Sequence, residues 1–200
     1  MKRIGRATLA GVATLCAGLL LAAAAASWQA KHNREHAEGA FDALAQRVGA
    51  DVSARLALYE YGLRAVRGAA VSPQGAHIGR EAFRLYTASR ETDREFPGAR
   101  GFGVIWRVPQ ADEAAFVERA GHDGWPDFKV RQLAPHDGER FVIELIEPVE
   151  RNYASVGLDV ASEANRREAA LTSMRSGQAT LTGPITLVQV TGKPLRSFLV

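Results

Sequence analysis

The stretch RFVIELIEPVERNYASVGLDVASEANRREAALTSMRSGQATLTGPITLVQ, residues 140–189, decides the fold. Its apolar run FVIELIEPV predicts a buried strand, and SVGLDVA predicts the next extended piece. Ser162 is a candidate N-cap for a helix that runs to about Ser176, and Gly177 is well placed to end that helix. ATLTGPITLVQV and PLRSFLV then predict two strands joined by TGK.

Upstream of this stretch, the sequence alternates between short helices and strands. The patterns predict helices over about residues 79–89 and 112–120, a strand at FGVIWRV (102–108) and a half-exposed strand over residues 128–133. This order is typical of an α+β fold, with an antiparallel sheet and helices to one side. The chain stops within an apolar, strand-like run, so we expect a longer protein.

A long helix is predicted over residues 28–67, which contain no proline. A helix of forty residues would extend about 60 Å, which is the form of a stalk. The stalk must bury its apolar stripe against its own domain or against a second copy. The second option predicts a homodimer through the stalk. VSPQG, at residues 71–75, ends this helix. The stripe has spacings of three and four and consists of Phe41, Leu44, Val48, Val52, Leu56, Tyr59, Leu63 and Val66.

Residues 7–27 contain no charge and are about long enough to cross the hydrocarbon core of a membrane. Lys2, Arg3 and Arg6 precede them, so the positive-inside rule predicts a cytoplasmic N-terminus and an outer position for the residues after 28. The alternative is a cleaved signal peptide, and both readings export the rest of the chain. The predicted division is a basic N-terminus (1–6), an inner-membrane anchor (7–27), a stalk helix (28–68) and a sensing domain (69–200).

Composition argues against several classes of protein. The net charge of +3 is small and basic runs with interleaved aromatic residues are absent from the sequence, so we expect no nucleic-acid partner. The single cysteine, Cys16, excludes an internal disulfide. HNREH (32–36) resembles a zinc-protease motif, but it lies next to the anchor and contains an arginine, so we favour a solvated helix face and expect no metal. We expect no cofactor and no catalytic activity in this chain.

Four segments resemble the CHASE domain, the extracellular sensor module of membrane-bound histidine kinases and cyclases. The resemblance implies a stalk helix, two PAS-like subdomains with a small-molecule pocket, a second membrane helix and a cytoplasmic output domain of the histidine kinase or diguanylate cyclase type. In plant members the ligand is a cytokinin, an N6-substituted adenine. The segments are FPGARGFGVIWRV (96–108), DFKV (127–130), LIEPVERNYASVGLDVASEANRREA (145–169) and SGQATLTGPITLVQ (176–189).

The resemblance also implies candidate ligand residues. Thr182 matches a pocket threonine of the plant receptors, and Leu171 matches a pocket leucine. Their adenine-binding aspartate falls near IEPVE, where Glu147 and Glu150 are the candidates and the loop length differs, so the ligand is adenine-like or of another kind. Independently of the resemblance, Glu144 in the same apolar strand could bind a ligand N–H, lie on the surface of an edge strand or pair with an arginine.

One further carboxylate and the threonine have structural readings as well. Asp159 precedes the predicted helix and is expected to form a turn or to cap that helix. Thr182 lies in a strand-like segment, where a β-branched residue needs no ligand to explain it.

Overall fold

The computed structural model describes residues 5–71, 77–187 and 196–200. The chain divides into two units, residues 1–55 and 56–200, and each is described by itself. A single helix, α1, runs from Arg6 to Ala70 and ends where the VSPQG break is predicted.

In the first unit, the side chains of α1 residues 9–55 are exposed. The apolar residues of the predicted anchor are bare, with Leu15 65% and Leu21 73% exposed. Farther along, i,i+4 ion pairs join Lys31 to Glu35 and Arg34 to Glu38. Such pairs support a solvated helix surface.

The described residues of the second unit form short helices and two small sheets after the end of α1. The helices and strands after α1 are α2 (Arg80–Ala88), α3 (Thr92–Glu95), β1 (Phe102–Val108), α4 (Glu113–His122), β2 (Arg140–Glu147), α5 (Ala164–Ser176), β3 (Ile185–Thr186) and β4 (Arg196–Ser197).

Both sheets are antiparallel ribbons. In the first, β1 pairs with β2, with Phe102 opposite Glu147, and a register shift comes after Val104. In the second, β3 pairs with β4, with Ile185 opposite Ser197. The predicted α+β class is confirmed.

The end of α1 packs on the second unit's own core. One core cluster joins Val66 of α1 to Phe83, Phe96, Phe102 and Leu145, with Tyr59 and Leu63 packed beside it. Gly62 permits this approach, because a Cβ there would lie 2.7 Å from the Phe96 ring. Two other clusters fill the space around β2. The first contains Val108, Phe116, Ala120, Trp125, Phe128 and Val142, and the second contains Phe141, Ile143, Leu158, Val160 and Ala161.

The prediction of an extended piece at SVGLDVA is wrong. This segment carries short 3₁₀ helices at Tyr153–Ser155 and Val160–Ser162 and makes isolated bridges in place of a strand. Gly157 turns the backbone with a positive φ of 78°, and the buried Asp159 carboxylate accepts from the Ala161 N–H, which closes a turn. Residues 128–133 likewise contribute one bridge, from Arg131 to Leu158, instead of the predicted strand.

The predicted N-cap of α5 is wrong by one residue, and its predicted end is confirmed. The Glu163 carboxylate caps the helix by accepting from the N–H groups of Asn165 and Arg166. Ser162 instead turns its hydroxyl to the Asp159 carbonyl and accepts from the Leu133 N–H. Gly177 ends α5 in the left-handed conformation. The strand predicted from ATLTGPITLVQV reduces to β3 within the described residues, and the TGK connection lies outside them.

Candidate functional site

A polar cleft of about 550 Å³ lies between α2, α3 and the end of β2. It brings together Glu147 and Glu150, the two carboxylates predicted to meet a ligand. The other residues that line it are Arg84, Thr87, Ala88, Arg90, Glu91, Thr92, Asp93, Arg94, Pro148 and Arg151.

The β2 side of the cleft is held by hydrogen bonds to the backbone. The peptide bond between Glu147 and Pro148 is cis, and Glu147 Oε2 accepts from the Val149 N–H at 2.9 Å. The Asn152 side-chain amide donates to the carbonyls of Arg100 and Pro148 at 3.0 and 2.8 Å. The Glu147 carboxylate therefore keeps one oxygen that the adjacent backbone N–H does not use.

Charges in the cleft are balanced. Its lining carries four guanidinium groups and four carboxylates, and Asp93 pairs with Arg151 at 2.7 Å. Hydrogen bonding from Arg151 lowers the pKa of the Asp93 carboxyl. The cleft can thus offer both charge-assisted donors and acceptors to a small polar molecule.

Leu171 and Thr182 lie outside the lining of this cleft. Leu171 is half-buried on α5 and packs against the cluster around Phe141 and Ile143. Thr182 is buried and pairs with Leu199 through two hydrogen bonds: its N–H donates to the Leu199 carbonyl at 2.9 Å, and its hydroxyl accepts from the Leu199 N–H at 3.0 Å. The four residues predicted from the resemblance are therefore divided between the cleft and the region around α5 and β3.

Glu144 has the arginine partner that the sequence left open. Its buried carboxylate accepts two hydrogen bonds from the Arg119 guanidinium, at 2.9 and 3.0 Å. Arg119 also lies over the Phe116 ring at 4.9 Å. This bidentate pair joins α4 to β2 inside the domain.

Asp159 is the most completely bonded carboxylate of the domain. The expected turn is confirmed, because Oδ1 accepts from the N–H groups of Ala161 and Phe141 at 3.0 and 2.9 Å. The element that Asp159 caps is the 3₁₀ helix Val160–Ser162, whereas α5 is capped by Glu163. Oδ2 lies 2.6 Å from His136 Nε2 and 3.2 Å from Gln132 Nε2. His136 Nδ1 accepts from the Gly138 N–H, so both ring nitrogens are used in holding this turn.

Sequence reasoning missed His136 and Arg166. His136 lies in a turn-like segment, and nothing in its spacing marks it as the partner of Asp159. Arg166 is buried to 4% exposure on α5 and donates from Nη2 to the Thr186 carbonyl at 2.8 Å. Burial lowers the pKa of the Arg166 guanidinium, and the nearby Glu163 carboxylate opposes that shift. ANRREA contains two adjacent arginines, and nothing in the sequence signals that the first of them is buried.

The histidines of the HNREH segment approach one another on an exposed face of α1. His32 Nε2 and His36 Nε2 are 3.0 Å apart. Within residues 5–71, 77–187 and 196–200, no group of three or more histidine, cysteine, aspartate or glutamate side chains could hold a metal ion.

Comparison with known proteins bears on what this domain is. The family model described as CHASE domain matches residues 76–200, which is well over half of the chain. A search of curated proteins found no match. The match includes α2 to β4 and both candidate regions, the cleft and the region around α5 and β3. The chain therefore belongs to the CHASE domain family, the extracellular sensor domains of signalling receptors.

Proposed function

We propose that this chain is the anchored, periplasmic sensing region of an inner-membrane receptor that binds a small molecule. The observation that carries the proposal is the CHASE domain at residues 76–200, preceded by an exposed apolar helix. By the resemblance, the domain holds PAS-like subdomains, and the whole protein carries a second membrane helix and a histidine kinase or cyclase as its output.

The anchor is supported by the surface of α1. By length and composition this helix can cross a membrane, with a most apolar window of mean hydropathy 2.1. Two hydroxyl groups within the predicted span are bonded to its own backbone, since Thr14 donates to the Ala10 carbonyl and Ser27 to the Ala24 carbonyl. Such internal bonding lowers the cost of placing a hydroxyl in hydrocarbon.

A stalk dimer is supported by the exposed part of the apolar stripe. Phe41, Leu44, Val48 and Val52 are between 53% and 70% exposed, while Leu63 and Val66 farther along are packed on the domain core. A row of exposed apolar residues in an exported stalk is expected to be buried against a partner, and a second copy presents the same row. The sensed molecule would favour one of two arrangements of this dimer, and it must bind them with different affinity to produce a signal.

A topology experiment tests the anchor and the export together. The chain is fused after Val200 to alkaline phosphatase, which is active only outside the cytoplasm, or to a green fluorescent protein, which is bright only inside. We expect an active phosphatase fusion of full length in the membrane fraction. A shortened, soluble and active fusion would favour the alternative, an exported binding protein without an output domain. A bright fluorescent fusion with an inactive phosphatase fusion would refute both.

Disulfide cross-linking tests the dimer. In a Cys16→Ser background, single cysteines replace Val48 or Val52, and Ala50→Cys serves as the control. Residue 50 lies two positions away and hence on the opposite face of the helix. We expect dimers from the two stripe positions and few from Ala50→Cys. Equal cross-linking at all three positions, or none, would contradict a symmetric stalk interface.

A further inference from the structure

Arg166 is a buried cation with unused hydrogen-bonding capacity. Its side chain is on α5 and 4% exposed, and Nη2 donates to the Thr186 carbonyl at 2.8 Å. The Nε–H and Nη1–H groups are buried and have no hydrogen-bond partner within residues 5–71, 77–187 and 196–200. A buried charge is ordinarily paired, and a buried N–H without an acceptor is costly. Among the described residues, this arginine therefore lacks an acceptor that its chemistry requires.

The nearest carboxylate does not supply that acceptor. Glu163 is three residues before Arg166, but its two oxygens accept from the backbone N–H groups of Asn165 and Arg166, each at 3.1 Å. The Glu163 carboxylate therefore bonds the free backbone N–H groups of the first turn of α5 and makes no direct hydrogen bond with the guanidinium. Its charge acts on Arg166 only through space.

The surroundings of Arg166 are fixed in place. Asn165 Nδ2 donates to the Pro184 carbonyl at 3.1 Å, and the Asn165 side chain lies against Gly183, where a Cβ would approach it to 3.1 Å. These contacts join the start of α5 to residues 182–186. The same segment begins with Thr182, the threonine expected to meet the ligand. The guanidinium is thus held by α5 against the Thr186 carbonyl, four residues after Thr182 in the chain.

We propose that Arg166 binds the anionic group of the sensed molecule, a carboxylate or phosphate, beside residues 182–186. This inference rests on the proposed sensing function and assigns a chemical class to the ligand. A planar guanidinium matches the oxygens of either group, and a desolvated site strengthens the bond. The region around Arg166 would accordingly select an acid from among small molecules and reject a neutral analogue of the same shape, since the neutral analogue leaves the arginine unpaired.

Thermal unfolding of the full chain in detergent tests the proposal, with acetate, succinate and inorganic phosphate as probes at constant ionic strength and chloride as the reference. We expect at least one probe to raise the Tm of the wild-type chain by several degrees and to saturate. Arg166→Met should abolish that rise. The control Arg175→Met removes an exposed arginine from the same helix and should keep it.

The unliganded variants separate a ligand residue from a structural one. If Arg166 serves a ligand, Arg166→Met removes an unpaired buried charge and should keep or raise the Tm without any probe. Should that variant fail to fold, Arg166→Lys keeps the charge and should weaken the probe response at least tenfold in half-saturating concentration. A saturable response that survives in Arg166→Met, or no saturable response of the wild-type chain to any probe, would overturn the proposal. A failure here would leave the results of the topology fusions unaffected.

Discussion

Replacing Gly157 by alanine should unfold the domain more readily than any nearby glycine change. Gly157 has a φ of 78°, and a Cβ there would lie 2.1 Å from the Lys129 carbonyl oxygen. Its N–H donates to the Ile143 carbonyl and its carbonyl accepts from the Arg131 N–H, both at 2.8 Å. The new methyl group can be admitted only if this segment moves away from both neighbours.

The expected loss can be summed from these contacts. A left-handed backbone costs a residue with a Cβ about 1–2 kcal/mol relative to glycine. Relieving the 2.1 Å contact requires a displacement of about 1 Å, which weakens two backbone hydrogen bonds worth about 1 kcal/mol each and strains the packing. We therefore expect Gly157→Ala to lower the free energy of unfolding by about 4 kcal/mol.

Gly177 provides the matched control. It too is left-handed, with a φ of 67°, but a Cβ there would have no heavy atom within 4 Å. Gly177→Ala should therefore cost only the backbone penalty, about 1 kcal/mol. Urea unfolding of both variants in detergent, monitored by the fluorescence of Trp106 and Trp125, gives the two free energies. Losses that agree within about 0.5 kcal/mol would refute the steric reasoning, because differences of that size between separate sites are within ordinary variation. The contact with Lys129 would then add no measurable cost.

Three further changes test other contacts. Arg119→Met should lower the free energy of unfolding by about 2–3 kcal/mol, since it leaves the buried Glu144 carboxylate without its donors, and a urea midpoint equal to wild type would contradict this. Phe83→Ala should cost about 3–5 kcal/mol because Phe83 is 1% exposed, and a loss below about 1 kcal/mol would show that the site collapses without a cavity. Hydrogen bonding from Arg107 lowers the pKa of the Glu139 carboxyl below its ordinary 4.5, so its contribution to stability is present above that value and is lost as pH falls through the lowered pKa. Glu139→Gln should therefore reduce the fall in stability below pH 4.5, measured by urea titrations at several pH values, and an unchanged pH slope would oppose the assignment.

Local patterns predict the helices and the strand pair of this chain well. The periodicity of α1, the VSPQG break and Gly177 each depend on residues close in sequence, and the structure places them as expected. FGVIWRV and FVIELIE form β1 and β2, because apolar runs of that length favour buried strands.

Long-range pairing is beyond the reach of local patterns. SVGLDVA has the alternation of a strand, yet Asp159 binds His136, twenty-three residues earlier, and the chain folds into short turns around this carboxylate. The Arg166 guanidinium is likewise held by the Thr186 carbonyl, twenty residues later. Neither contact leaves a mark on spacing or composition, so the sequence pattern identifies neither partner.

The glycine at position 62 has a mechanical consequence for the sensing unit. No side chain stands between the helix backbone at Gly62 and the rings of Phe96 and Phe102, whose atoms would lie within 3.0 Å of an added Cβ. A flexible side chain at this position would absorb a small shift of either ring by changing its rotamer. Without one, a shift of the aromatic pair acts directly on the backbone of the last turns of α1, so those turns should move together with the rings.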